Sequence, residues 1–459
     1  LYKAQDLLRE ATECHLKGDW PRAEYLYCLL IAHDEAHPTA PFALGTLYAQ
    51  ANAYGRALTF LQRAVELNPK CREAMETLSV VYRQLENKPK AIEWNSRALA
   101  IERSLGGLAN ASGMYINDAN PELALKFADE CLELARTANP AEREKYAGAD
   151  PVHAAGNHKA LALLELGRFE EGWKHYDARL KIPNFEPRPF TCPMWDGRRT
   201  RLLAIHGEQG LGDEVMFLTC LKQLREKHEI GRIVIECNPR LVKIMEESLG
   251  VKCYGTHKEL IAAEKPSAFI PMGSLPGFIW PVVPNTYLRP TLESCAHHPY
   301  SHEGPRIGLS WFGGKMGTHL QLRNTPIEDW KAFLLERPEY ISLQYGDRKE
   351  EADILGIEHD SEAIADLDRL AALIRSCDLV VSVCNTTIHM AGALGIPCLV
   401  LVPSKPAWRY GLEGEKMVWY DSIRMIRQRA GEPWACVLQR AKVQCADFLR
   451  IPKPQSRAA

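Results

Sequence analysis

A chain of 459 residues is too long for one ordinary core and implies two to four domains. Its 46% hydrophobic and 25% charged content is that of a globular protein, and a formal charge of −2 without any block of Lys or Arg argues against a dedicated nucleic-acid surface. No apolar run approaches the ~20 residues of a membrane span, and the opening LYKAQDLLREATECHLKGDW is amphipathic and charged, reading as the continuation of a longer chain and not as a signal peptide.

The first elements repeat. Ala23, Ala57 and Ala91 recur every 34 residues, in the contexts WPRAEYLYCLLIAHDEAHP, YGRALTFLQRAVELNP and KPKAIEWNSRALAIE. Each context is a short turn followed by an amphipathic helix with a small residue where a neighbouring helix must come close. A 34-residue period of this kind is the tetratricopeptide (TPR) pattern. A fourth unit carries Ala124 one residue out of phase. A fifth, HKALALLELGRFEEGWKHYDARL, follows an insertion and has Gly172 at the small position. Residues 1–180 are therefore expected to form about five helix pairs of an α-solenoid. Its concave surface would hold a peptide or a protein, or else serve as a rigid scaffold.

From about Phe190 short apolar runs alternate with helical patterns, the sign of parallel sheets covered on both faces. RLLAIH, RIVIEC, VKCYGT and SAFIPMGS form a first series, assigned to 181–297. The stretch ESCAHHPYSHEGP reads as a linker. RIGLSW, YISLQYG, DLVVSV and CLVLVP form a second series over 298–430, and 431–459 reads as a closing helix with a disordered tail. Two Rossmann-like domains in tandem would bind ligands beyond the carboxyl ends of their strands.

Three polar clusters lie at such ends. In HGEQGLGDEV, Gly210 and Gly212 permit a tight turn, and Asp213 begins a helix as cap or as general base. The loop is neither a dinucleotide nor a P-loop fingerprint. In SWFGGKMGTHLQLRNTP, Lys315 and Arg323 are cations suited to a phosphate, alongside His319. In VCNTTIHMAGALG, Asn385 and Thr386 would cap a helix whose first amides, with Thr387 and a neutral His389, suit an anion. Further on, Trp408 and Arg409 would stack and clamp, and Gln344 and Tyr345 end a strand where a nucleobase edge would be read.

Taken together, WDGRRTRLLAIHGEQGLGDEVMF, RIGLSW, DLVVSVCNTTIHMAGALGIP and PAWRYG…WYDSIRMIRQ resemble the TPR-linked bacterial glycosyltransferases, whose catalytic part is similar to the heptosyltransferases of two-domain GT-B fold. The resemblance implies a nucleotide-sugar donor in the second α/β half and an acceptor in the first, with Asp213 as base. It also implies metal-independent, inverting transfer with no cofactor, and Lys315 as a phosphate contact. Cys384 departs from the pattern, since many relatives keep Asp there. That departure leaves a second possibility, a TPR scaffold with an inert or nucleotide-sensing α/β half. The 14 cysteines, none in a C-x-x-C pair, read as buried hydrophobes of a reducing, cytoplasmic compartment. CAHHPYSH lacks metal-ligand spacing.

Overall fold

The computed structural model describes residues 3–138, 150–183, 185–298, 304–314 and 322–450. Lys315, His319, the insertion at 139–149 and the tail PKPQSRAA lie outside the described residues. The chain divides into two compact units. Leu1–Leu163 with His175–Phe185 make the first, and Leu164–Lys174 with Glu186–Ala459 make the second.

The first unit is a TPR-like array of antiparallel helix pairs. These are α1 (Ala4–Leu16) with α2 (Trp20–His33), α3 (Ala40–Gln50) with α4 (Tyr54–Leu67), α5 (Arg72–Gln84) with α6 (Lys88–Ile101), and α7 (Leu105–Ile116) with α8 (Pro121–Thr137). Ala23, Ala57, Ala91 and Ala124 are all fully buried, as a close helix approach requires. Starts are fixed by the same period. Asp19, Asn87 and Asn120 accept from backbone amides at the beginnings of α2, α6 and α8, where a proline occupies one of the first two helical positions.

The turn inside each pair also repeats. Gly18, Asn52, Glu86 and Ala119 all adopt left-handed backbone, with φ of +80°, +58°, +57° and +52°. Only the first of these is glycine, so this demand was hidden in the composition. A fifth pair, Pro151–Glu165 and Phe169–Tyr176, straddles the division between the units. Its Phe169 packs on Trp280, while Trp173 lies among Trp280, Trp408 and Trp419, so the segment at 164–174 belongs by packing to the second unit.

The second unit contains two sheets. The first is wholly parallel, in the order β3-β2-β1-β4: β1 (Thr200–His206), β2 (Ile230–Glu236), β3 (Lys252–Tyr254) and β4 (Ala268–Pro271). The second has the order β6-β5-β7-β8-β10-β9: β5 (Arg306–Ser310), β6 (Glu339–Ser342), β7 (Leu379–Val383), β8 (Cys398–Val402), β9 (Lys416–Met417) and β10 (Tyr420–Arg427). It is parallel except at the β9 edge. Strands β7 and β8 are buried along their whole length, which follows from cover on both faces. The helix Trp434–Arg450 contributes Val437, Leu438, Ala441 and Cys445 to that core.

Two expectations need correction. The second series does not end at β8, because YDSIRMIR forms β10; its exposed Arg424 interrupts the apolar pattern that would have marked a strand. The expected linker contains a helix, Leu292–His297. It forms because Thr291 caps Ser294 and is itself held by Asp368, whose carboxylate accepts from the Thr291 N–H at 2.9 Å, the Thr291 hydroxyl at 2.6 Å and the Ser294 hydroxyl at 2.8 Å.

The turn geometry gives a paired prediction. Gly18→Ala should cost about 1–2 kcal/mol, because an L side chain opposes the left-handed conformation. Gly55→Ala, in the first turn of α4 with open space around its missing Cβ, should be neutral or gain up to ~1 kcal/mol. Urea unfolding of the full chain measures both, and shifts of the same sign would contradict the assignment.

Candidate functional site

The site forms where two helix beginnings meet. The helix Leu211–Leu218 follows β1 through the glycine loop, and the helix Thr386–Leu394 follows β7. They pack together in their first turns. A Cβ on Gly212 would fall 3.0 Å from the His389 ring and 3.3 Å from Thr386 Cα, so a side chain at this position would be forced against the second helix. Gly210 is the cap residue of the loop helix, and its N–H donates to Asp213 at 3.2 Å. Asp213 therefore is a cap. It is also paired with Arg409, which stands in the 3-10 turn Trp408–Tyr410, and both side chains are mostly buried.

Asn385 caps the second helix. Its Oδ1 accepts from the Thr387 N–H at 3.0 Å and the Ser382 hydroxyl at 3.1 Å, while its Nδ2 donates to Ser310 Oγ at 2.7 Å and the Phe312 carbonyl at 3.1 Å. Thr387 is buried, whereas Thr386 is partly exposed. His389 lies between Tyr410 and Tyr420, and this burial, with Arg409 nearby, pushes its imidazole well below the usual value. It is an enclosed neutral ring, not a group presented to a ligand. Arg323 donates to the Cys384 carbonyl at 3.3 Å, at the end of β7.

Two residues expected to contact a base or sugar, Gln344 and Trp408, have other work. Gln344 is fully buried. Its Oε1 accepts from the Trp311 and Phe312 amides at 2.9 and 2.8 Å and from the Ser310 hydroxyl at 3.0 Å. Its Nε2 donates to the Phe312 and Tyr345 carbonyls, so both ends of the amide are spent in tying β5 to the loop after β6. Trp408 is buried against Trp173, Trp419 and Phe217, away from any base-stacking role. Tyr345 is half-buried and accepts from the Gly314 N–H at 3.1 Å. The Cys384 thiol is raised to about 12 by burial and donates to the Leu401 carbonyl at 3.5 Å, which makes it an inert core thiol.

A buried acidic group stands beside Asp213, made by the helix that follows β1 and the end of β2. Glu214 accepts from the Asn238 N–H at 2.8 Å, and burial raises its carboxyl to about 7, with Glu236 adding to the effect. Glu236 ends β2, where it is paired with Arg188 at 2.9 Å and lies 3.4 Å from His257. The signal for this group was a glutamate closing the apolar strand RIVIEC. Among the described residues, no group of three or more His, Cys, Asp or Glu is placed to hold a metal ion. Nor, among them, is any helix long and apolar enough to cross a membrane.

No protein-family model matches the chain. It is similar to Protein FlbA of Caulobacter vibrioides, at 27% identity over 492 aligned positions covering 94% of this chain and 82% of that protein. Among solved structures it is similar to MamA, at 17% identity with a TM-score of 0.32, over 39% of this chain and 90% of that one. It is also similar to a thermophilic TPR protein of Thermus thermophilus, at 16% identity with a TM-score of 0.31, over 40% of this chain and 93% of that one.

Glu214 sets a pH dependence. A carboxyl whose pKa is higher folded than unfolded holds its proton more tightly in the native state. The Glu214 contribution to stability should therefore fall as pH rises from about 4.5 to about 7 and then level off, against an opposite, rising contribution from the buried neutral rings of His158 and His389. Glu214→Gln should remove that decline, a difference of at most ~3 kcal/mol. Unfolding midpoints of both proteins across pH 4–8 provide the check. Parallel profiles would show that Glu214 does not titrate there.

Proposed function

We propose that this chain is a partner-binding repeat protein whose α/β unit takes the phosphate end of a nucleotide as a regulatory ligand. Stacked helix pairs support the first part, because arrays of this kind offer a continuous surface to extended peptides and protein segments. The second part rests on the meeting of Asp213 and Arg409. A guanidinium beyond the carboxyl ends of parallel strands is the right group in the right place for a phosphate, and Arg323 lies at the end of β7 as well. Meanwhile the carboxylate that would act as a base is held by that guanidinium, His389 is enclosed, and Gln344 and Trp408 are committed to packing. Such an arrangement suits binding more directly than turnover.

A second reading, sugar transfer of the GT-B kind, is favoured by one observation: Asp213 sits on a glycine loop directly after β1, on the lobe facing Arg409. In that reading Asp213 takes the proton of an acceptor hydroxyl, and the oxygen attacks the anomeric carbon of a nucleotide sugar with inversion. The nucleoside diphosphate then leaves with the bonding electrons, towards Arg409, Arg323 and Lys315. The acceptor would be a protein recruited by the repeats.

Thermal unfolding with UDP, GDP, ADP and CMP, followed by assay of the matching nucleotide sugars, separates the two. The binding reading expects one nucleotide to raise the midpoint by several degrees at ~100-fold excess over Kd, and its sugar conjugate to survive intact. A nucleotide sugar consumed by the wild type and spared by Asp213→Ala would replace it with the transfer reading. Absence of any shift would overturn both.

A further inference from the structure

The contact between the two lobes of the α/β unit brings together two positive helix ends. The first turn of Leu211–Leu218 lies against the first turn of Thr386–Leu394, and each carries first-turn amides and a partial positive charge. Arg409 adds a full charge beside them. The anionic group at this place is the protein's own: the Asp213 carboxylate, paired with Arg409 and mostly shielded from water. A carboxylate so held stands where the oxygens of an incoming phosphate would be drawn. The Gly212 backbone occupies the approach to Thr386 and His389 at the same time.

We infer that the Asp213–Arg409 ion pair is an anion-released latch, in which a phosphate-bearing ligand takes Arg409 from Asp213 and thereby frees both the carboxylate and the loop helix that carries it. This inference rests on the phosphate-binding reading above and adds its regulation. The ligand-free protein holds its own site shut, so that ligand must compete with an internal carboxylate. Apparent affinity is then lower than intrinsic affinity by the fraction of molecules in which the latch is open. Release also couples the two lobes, since Asp213 belongs to the first sheet's lobe and Arg409 to the second's. In either reading of the function, the same event uncovers Asp213 only when phosphate is bound.

Isothermal titration of the full chain with inorganic pyrophosphate tests the latch. Asp213→Asn keeps an acceptor for the Gly210 N–H but removes the competing charge. It should bind pyrophosphate about tenfold more tightly than the wild type, and adding Arg409→Gln should abolish the gain. Gly212→Ala, whose methyl group would press on His389 and Thr386, should move affinity in the same direction without altering either member of the pair. If Asp213→Asn is folded and binds no more tightly, or if Asp213→Asn fails to fold and Gly212→Ala shows no gain, the latch is wrong. Parallel titrations with UDP, GDP, ADP and CMP keep the two proposals apart. Tighter pyrophosphate binding with no nucleotide binding upholds the latch and removes the nucleotide reading. Nucleotide binding that is equal in wild type, Asp213→Asn and Gly212→Ala does the reverse.

Discussion

Two helix N-termini placed in contact repel one another, because each concentrates the positive end of its peptide dipoles. The α/β unit is built around such a contact, between the turns that begin at Leu211 and at Thr386. Glycine at 212 allows the approach, and a carboxylate at 213 offsets the charge. Asp213 does so twice over, by accepting from the Gly210 amide of its own helix and by pairing with Arg409 across the contact. The side chain that reads as a base in isolation is here the group that lets two like ends lie together.

The rest of the interface between the sheets holds this arrangement from the flanks. Asp368, on the helix Leu367–Arg375 of the second lobe, binds Thr291 and Ser294 and lies 3.1 Å from Lys243 of the first lobe. Burial alone would raise its carboxyl, but the hydrogen bonds from Thr291, Ser294 and Lys243 outweigh that and hold it below the ordinary range. Arg240 donates to the Ala365 carbonyl at 3.0 Å, and the amides of Tyr287 and Leu288 both donate to the Ala393 carbonyl. On another side, Trp408 is fixed among Trp173, Trp419 and Phe217, which settles where the neighbouring Arg409 begins. None of these groups depends on Asp213, so the tethers can persist while the central ion pair exchanges.

Much of the architecture was legible because it is periodic. The alanine spacing, the Asp and Asn caps and the apolar runs each repeat or alternate in ways that local physics dictates. The candidate residues were legible by their place at strand ends, but their packing partners were not. Glycine loops and polar residues at strand ends stood out as expected, and Asp213, Arg409 and Arg323 do come together at the lobe contact or beside it. Gln344, Trp408 and His389 looked like ligand groups because their side chains are polar or aromatic near strand ends. Their commitment to interior packing follows from long-range contacts with Phe312, Trp173 and Tyr420 that no local pattern encodes. The Glu214 environment was hidden for the same reason, since Glu214 stands on a helix and its neighbour Glu236 comes from the end of β2. Strand β10 was lost to its exposed arginine.

The arrangement at the lobe contact depends on whether Asp213 and Arg409 interact in solution. A double-mutant cycle on the full chain, with Asp213→Asn, Arg409→Gln and the pair, measures this through urea unfolding. A shielded ion pair predicts a coupling of ~1 kcal/mol or more, the double variant losing less stability than the two single losses together. Losses that add to within ~0.3 kcal/mol would contradict it, and would leave the lobes held by the tethers at Asp368, Ala365 and Ala393 and by the packing of Trp408.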